Sequence, residues 1–276
     1  MFSGYHFFDY KYNIAGYSGQ DYNGFGRILY IIIAFIAITA LLISFRKASK
    51  ETIHKYLKIS SIVAISMYVI KTTWESIYDI RSSGEFNTGL LPFDTCSIIM
   101  WATLMAAYGK GRIKELGECW IVTGGIIGGM MTIPFLNALK YYPFFTFGAF
   151  YSMAWHIFMT FTGLFLLVTN YVECSFKTVL KGFILHMIIS VPVIIFNYIK
   201  DMDFMLYYYA GGIPFIEDLS NKLAESGLRW ITTLVMIPLY FAGFNAVIWA
   251  TYGIKKFIRT ISQNKIRGET QPINEN

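Results

Sequence analysis

Ile28-Leu29-Tyr30-Ile31-Ile32-Ile33-Ala34-Phe35-Ile36-Ala37-Ile38-Thr39-Ala40-Leu41-Leu42-Ile43 contains no charge, and Arg46-Lys47 close it. With its flanks (residues 26–45) the stretch reaches the roughly 20 apolar residues that a helix needs to cross a bilayer. Six more such stretches follow, at 56–77, 90–108, 120–139, 145–171, 180–198 and 230–252. Only 14% of the 276 residues are charged and 55% are hydrophobic; a soluble globular domain carries about a quarter charged. The fold class that follows is all-α: a polytopic membrane protein with a seven-transmembrane-helix bundle at residues 26–254. A segment at 1–25 precedes the bundle, and a cytoplasmic polar tail at 255–276, expected to be disordered from Ser262 onward, follows it.

Charge orients the bundle. Arg46, Lys47, Lys50, Lys55 and Lys58 follow the first stretch, Lys110, Arg112 and Lys114 the third, Lys177 and Lys181 the fifth, and Lys255, Lys256 and Arg259 the seventh. Most basic residues thus fall on one side, and the positive-inside rule gives N-terminus out and C-terminus in. The net charge of +6 is this bias. Basic residues so scattered, with no accompanying motif, do not argue for nucleic-acid binding. The first residues lack a basic region and a small-residue cleavage site, unlike a secretory signal. Tyr5, Phe7, Phe8, Tyr10, Tyr12, Tyr17 and Tyr22 suit a segment at the water–lipid boundary.

Short connections on the inner side predict antiparallel neighbouring helices. The outer connections are longer. Residues 72–89 are polar, and 201–228 hold an aromatic run and the turn signal Gly211-Gly212-Ile213-Pro214, which predicts an interfacial hairpin or short helix. The fourth stretch carries Gly124-Gly125-Ile126-Ile127-Gly128-Gly129. Small residues four apart let helix backbones approach closely in lipid; a thin-walled groove that admits an acyl chain at Gly125 and Gly128 is the other reading.

Two residues carry potential chemistry. The third stretch opens with Leu91-Pro92-Phe93-Asp94-Thr95-Cys96. With Pro92 as first helical residue and Asn87 or Thr88 as a cap upstream, Asp94 falls in the first turn and Cys96 about one turn on. Unpaired N–H groups and the helix dipole favour a thiolate there, while Asp94 nearby opposes it; the plainer alternative is a small apolar residue in a buried helix. His156 follows an almost wholly apolar run, and an ionisable residue at membrane depth marks a functional site by default. A neutral histidine bonded across helices is the bland reading, and His186 in the sixth stretch is its competitor. Helix arithmetic sets the two at different depths. Cys96 lies about 6 Å below Pro92, and His156 about 20 Å below Pro143 if that whole stretch is helical. They meet only if the fifth helix begins late, near Gly148. The three cysteines form no disulfide framework, and no Cys/His spacing suggests a metal or other cofactor. A retinal protein is excluded, because residues 230–252 contain no lysine for a Schiff base.

The Leu91–Cys96 motif resembles that of the YwaF-type integral membrane proteins and their animal relative, transmembrane protein 164. Further matches follow in order: Gly124–Gly129 with Thr132-Ile133-Pro134, then Ser152–His156, then Asp203-Phe204-Met205-Leu206 with Pro214. The resemblance spans about residues 25–255. It implies an acyltransferase that remodels phospholipids, with catalytic residues falling on Cys96 and His156, and it implies the bacterial plasma membrane. Asp94 stands where that family often has His or Glu, and Asp203 where it usually has Asn. The expected enzyme would form a thioester on Cys96 and pass the acyl group to a lysophospholipid, with Thr95 or Ser97 holding the oxyanion and Asp94, Asp203, Gly125 and Gly128 contacting substrate. Its partners would be phospholipid and lysophospholipid. The alternatives are a transporter or small-molecule binding protein with a proton-linked histidine, and an assembly protein that docks through its glycines.

Overall fold

The computed structural model describes residues 6–11, 17–135, 137–210 and 214–269. Among them there are helices and turns and no strand. We label the helices α1 (Phe25–Phe45), α2 (Lys50–Ser83), α3 (Ile98–Tyr108), the composite α4, α5 (Phe147–Val168), α6 (Phe176–Lys200), α7 (Pro214–Glu225) and α8 (Trp230–Glu269). Helix α4 comprises Gly111–Trp120, a π-helical turn Ile121–Gly125, and Ile126–Thr132.

Among the described residues six segments are long and apolar enough to cross a membrane: Phe25–Phe45, Lys50–Ser83, Arg112–Lys140, Phe147–Val168, Phe176–Lys200 and Trp230–Phe257. The third expected stretch is different. Residues 90–94 are spent in turns, and the apolar helix there runs only Thr95–Tyr108. At 1.5 Å per residue that is about 20 Å, shorter than the hydrocarbon core. The protein is an integral membrane protein, with six long apolar helices and one shorter one among the described residues.

The outer faces of the helices are apolar. Ile28, Ile32, Phe35 and Ile36 on α1, Ile59, Ile62 and Val63 on α2, and Ile188 and Ile195 on α6 are all exposed. Water would penalise so extensive an apolar surface, and lipid does not. Inside, α5 is the most enclosed helix, with Met159, Phe165, Leu166 and Leu167 at the centre of the core. Helix α4 packs on α3, α5 and α6. Two glycines make this possible by close approach. A Cβ on Gly129 would lie 2.9 Å from the His156 carbonyl oxygen, and one on Gly163 would lie 2.7 Å from that of Ile121. The packing reading of the Gly-rich stretch therefore holds.

Helix boundaries follow local chemistry. Ser49 caps α2 by accepting from Thr52 N–H, Ser175 caps α6 by accepting from Thr178 N–H, and Gly84 ends α2 with φ 77°. The connections at 46–49, 109–110 and 169–175 are short, as antiparallel neighbours require.

Four expectations change. Residues 72–83 are not a loop, because α2 runs unbroken to Ser83. Pro92 is not helical: Asn87 caps a 3₁₀ turn at Thr88–Leu90, Leu91–Phe93 forms a tight turn, and Asp94 precedes a second 3₁₀ turn at Thr95–Ser97. The tail is helical through Glu269, where α8 simply continues. Tyr10 is not at an interface. It is 1% exposed, donates to Asp79 Oδ1 at 2.6 Å and stacks on Tyr78, while Phe7 and Phe8 are exposed. Tyr5, Tyr12 and Gly211–Ile213 lie outside the described residues. The short helix expected in 201–228 is α7.

Candidate active site

Cys96 sits in the 3₁₀ turn Thr95–Ser97, which leads into α3. The turn is held from two sides. Trp155 on α5 donates its indole N–H to the Cys96 carbonyl at 3.1 Å. On the other side, Tyr240 of α8 donates to the Met205 carbonyl at 3.0 Å, so its oxygen accepts from Thr95 Oγ1 at 2.9 Å. Phe93 packs edge-on against Phe196 and Phe204 just upstream. Cys96 is fixed by neighbours from three other elements.

His156 is nine residues into α5, about 13 Å along it. Its Nδ1 lies 2.7 Å from the Ser152 carbonyl, one turn back. A carbonyl only accepts, so Nδ1 carries the proton and Nε2 keeps the lone pair. The residue is buried.

Helix α5 begins at Phe147, not at Pro143, since residues 141–146 are turn. That late start removes the depth mismatch: Cys96 and His156 line one cleft of about 190 Å³. The cleft lies between the C-terminal half of α2, the Gly89–Ser97 turns and the first turns of α5. Asp94, Ser97, Lys71, Glu75, Tyr68 and Ser152 share its walls. Lys71 pairs with Glu75 one turn on, and its ammonium stands 5.8 Å from the centre of the Tyr151 ring.

The other expected site residues divide. Asp94 and Ser97 line the cleft. Thr95 does not; its hydroxyl is turned to Tyr240 and its methyl toward Gly128. Asp203 is outside the cleft walls and shapes the loop after α6, its Oδ1 accepting from the N–H groups of Tyr208 at 2.8 Å and Tyr209 at 2.7 Å. Gly125 faces Ile99 and Gly128 faces the end of Met159, so both are packing positions outside the cleft walls. His186 belongs to a separate buried network: its Nε2 donates to Tyr207, which donates to Ser190. Among the described residues no group of three or more His, Cys, Asp or Glu is placed to hold a metal.

A family model, that of the TMEM164 family, matches residues 22–255. This chain belongs to the TMEM164 family. No curated protein and no solved structure matches it. In this TMEM164-family member the reading from sequence names none of Tyr68, Lys71 and Glu75 as site residues, because it gives Tyr68 and Lys71 to the second apolar stretch and counts Glu75 with the polar connection at 72–89. Their spacing carried the signal. Tyr68, Lys71, Glu75 and Asp79 recur at three and four residues, the repeat of one helix face.

Proposed function

We propose that the protein is an integral membrane acyltransferase-like enzyme, acting on phospholipid acyl chains through Cys96 and His156. The observation that carries this reading is the shared cleft: the thiol-bearing Cys96 and His156, whose Nε2 keeps its lone pair, line one cleft together with Lys71, Glu75 and Asp94. Polar groups at membrane depth are costly, and clustering them without a chemical use is disfavoured.

The steps balance as follows. Cys96 Sγ attacks the ester carbonyl carbon, and the thiol proton passes to His156 Nε2. The ester C–O bond breaks, and the departing lysolipid oxygen takes that proton back. A thioester remains on Cys96. The hydroxyl of a lysophospholipid then gives its proton to Nε2 and attacks the thioester carbon, and the C–S bond breaks. The thiolate is reprotonated from His156. Covalent catalysis of this kind replaces one difficult acyl transfer by two easier ones. The first N–H groups of the 3₁₀ turn have no partner within it, so that of Cys96, with the Ser97 hydroxyl, is the donor for the oxyanion. Ser152 holds the tautomer of His156, and Trp155 holds the carbonyl end of Cys96. The basic residues after α1, α3 and α5 favour an orientation with the cleft toward the outer leaflet; the bacterial plasma-membrane setting rests on the family resemblance alone.

The test uses purified protein in liposomes with a phospholipid donor and an isotopically labelled lysophospholipid. The native chain transfers the acyl group, and an acyl adduct on Cys96 is released by hydroxylamine. Cys96→Ala abolishes both. His156→Ala slows transfer by about 10²–10⁴-fold, the usual loss for a general base. Retained exchange in Cys96→Ala overturns the proposal.

A further inference from the structure

A second cavity, of about 390 Å³, lies between α2 and α5, and it differs in kind from the first. Its walls are almost wholly apolar. On α2 they run from Tyr56 through Ser60 and Ala64 to Met67; on α5 they are Tyr151, Ala154, Trp155 and Phe158. Tyr151 and Trp155 also line the polar cleft.

The two cavities are consecutive along the same pair of helices. On α2 the groove takes residues 56–67 and the cleft continues with Tyr68, Lys71 and Glu75. On α5 the order reverses: the cleft uses residues 148–156 and the groove continues to Phe158. This is what an antiparallel pair gives when one trough has a polar end and an apolar end. Small side chains form its floor. Ser60 and Ala64 are buried and Ala154 stands opposite, between the bulkier Tyr56, Met67, Trp155 and Phe158. The far end closes at Tyr56, whose hydroxyl donates to Thr162 at 2.6 Å.

We propose that this groove binds the acyl chain being transferred, with its carbonyl end at Cys96 and its methyl end toward Tyr56. The assignment rests on the acyl-transfer reading above. The continuity of groove and cleft through Tyr151 and Trp155 identifies the occupant: it must be apolar along its length and end in a group that reaches the thiol. One unbranched chain fits a trough that follows α2 for about 16 Å. A tail leaving lipid for such a trough changes its surroundings little, because lipid and groove are equally apolar. The groove therefore contributes alignment rather than attraction. It holds the carbonyl beside Cys96 and, by closing at Tyr56, sets the chain length that fits.

A phospholipid with a photoreactive diazirine in its tail, in liposomes, tests binding without catalysis. With Cys96→Ala protein, cross-links are expected to concentrate on Ser60, Ala64, Met67, Ala154 and Phe158. Ala154→Phe and Met67→Phe, which fill the groove from opposite walls, are expected to reduce that labelling several-fold. Ile62→Phe, on the exposed face of α2, leaves it unchanged. On the native background, the two filling variants shift the preferred donor to shorter chains. Labelling spread evenly over the exposed faces of α1, α2 and α8, indifferent to the filling variants, overturns the groove. So does an unaltered chain-length profile in both variants. Groove labelling without any acyl-Cys96 sinks the reaction but keeps the site; acyl-Cys96 without groove labelling does the reverse.

Discussion

At the residue scale, the contacts around Cys96 are few and specific. The Trp155 indole N–H on the Cys96 carbonyl at 3.1 Å ties α5 to the thiol-bearing turn. Trp155→Phe removes the donor and keeps most of the ring. It is expected to cost about 1 kcal/mol of stability, read as a lower unfolding temperature in detergent. Because the turn loosens, alkylation of Cys96 by a membrane-permeant maleimide should speed up, an effect that a remote destabilising change would not produce. An alkylation rate equal to that of the native chain would remove Trp155 from the site. Beyond the cleft walls, Tyr10 donates to Asp79 Oδ1 at 2.6 Å, and the Asn87 amide donates to Oδ2 at 3.0 Å. Bonds to a charged group are worth about 1.5–3 kcal/mol, so Tyr10→Phe should lose about that much and Asp79→Asn a comparable amount. In a double-mutant cycle the two losses should not add. Cys96 and His156 were legible in sequence as costly placements. Their meeting was not, because it depends on where α5 starts. In the run from Tyr141 to Phe150 the cue to a start at Phe147 is the N-cap-type Thr146, and its hydroxyl bonds back to the Pro143 carbonyl instead of capping the helix.

At the element scale, the Gly-rich α4 separates packing from tolerance. Gly129 approaches the α5 backbone, so an added Cβ meets the His156 carbonyl oxygen at 2.9 Å, and backbone cannot give way cheaply. Gly128 faces the free end of Met159, which can rotate aside. Gly129→Ala is therefore expected to destabilise by about 1–3 kcal/mol, as overpacking does. Gly128→Ala should be near neutral, because the better helix propensity of alanine offsets a small repacking cost. Thermal unfolding of the two variants in one detergent checks the contrast, and equal losses would refute the close approach at Gly129. Because Gly129 borders the residue before Ile157, its variant should also lower acyl transfer, whereas Gly128→Ala should not. The sequence foretold the packing role through the small-residue pattern. It did not foretell that Gly125 and Gly128 stay out of the cleft, since a glycine pattern shows where helices approach and not which neighbour they meet. The long α2 was hidden by its own polarity: Lys71, Glu75 and Asp79 read as loop residues until their spacing is counted.

For the whole molecule, the distribution of polar groups is sorted by end. The connections at 46–49, 109–110 and 169–175 lie at one end of the helices. Arg46, Lys47, Lys110, Lys177 and Lys181 lie in them or in the helical turns beside them. The other end holds the 84–97 turns, the 137–146 turns and the α7 region, and there the acidic Asp79, Glu85, Asp201 and Asp203 gather. The extension of α2 to Ser83 sharpens the charge argument. Lys71 is paired with Glu75 in the cleft wall, so it is not a free loop charge and does not oppose the bias. The hydrophobic stretches and their alternation were thus readable from composition, while the shortness of the third came from turn chemistry at Leu90–Asp94. The sorted charges predict the membrane orientation, which is open to direct measurement. In a background with Cys96, Cys119 and Cys174 replaced, Glu85→Cys and Lys47→Cys place one exposed thiol at each end. A membrane-impermeant maleimide on intact cells is expected to label the Glu85→Cys protein at once and the Lys47→Cys protein only after permeabilisation. The opposite pattern would turn the bundle over and move the cleft, with its thiol, to the inner leaflet, where the donor and acceptor lipids of the reaction would have to be sought.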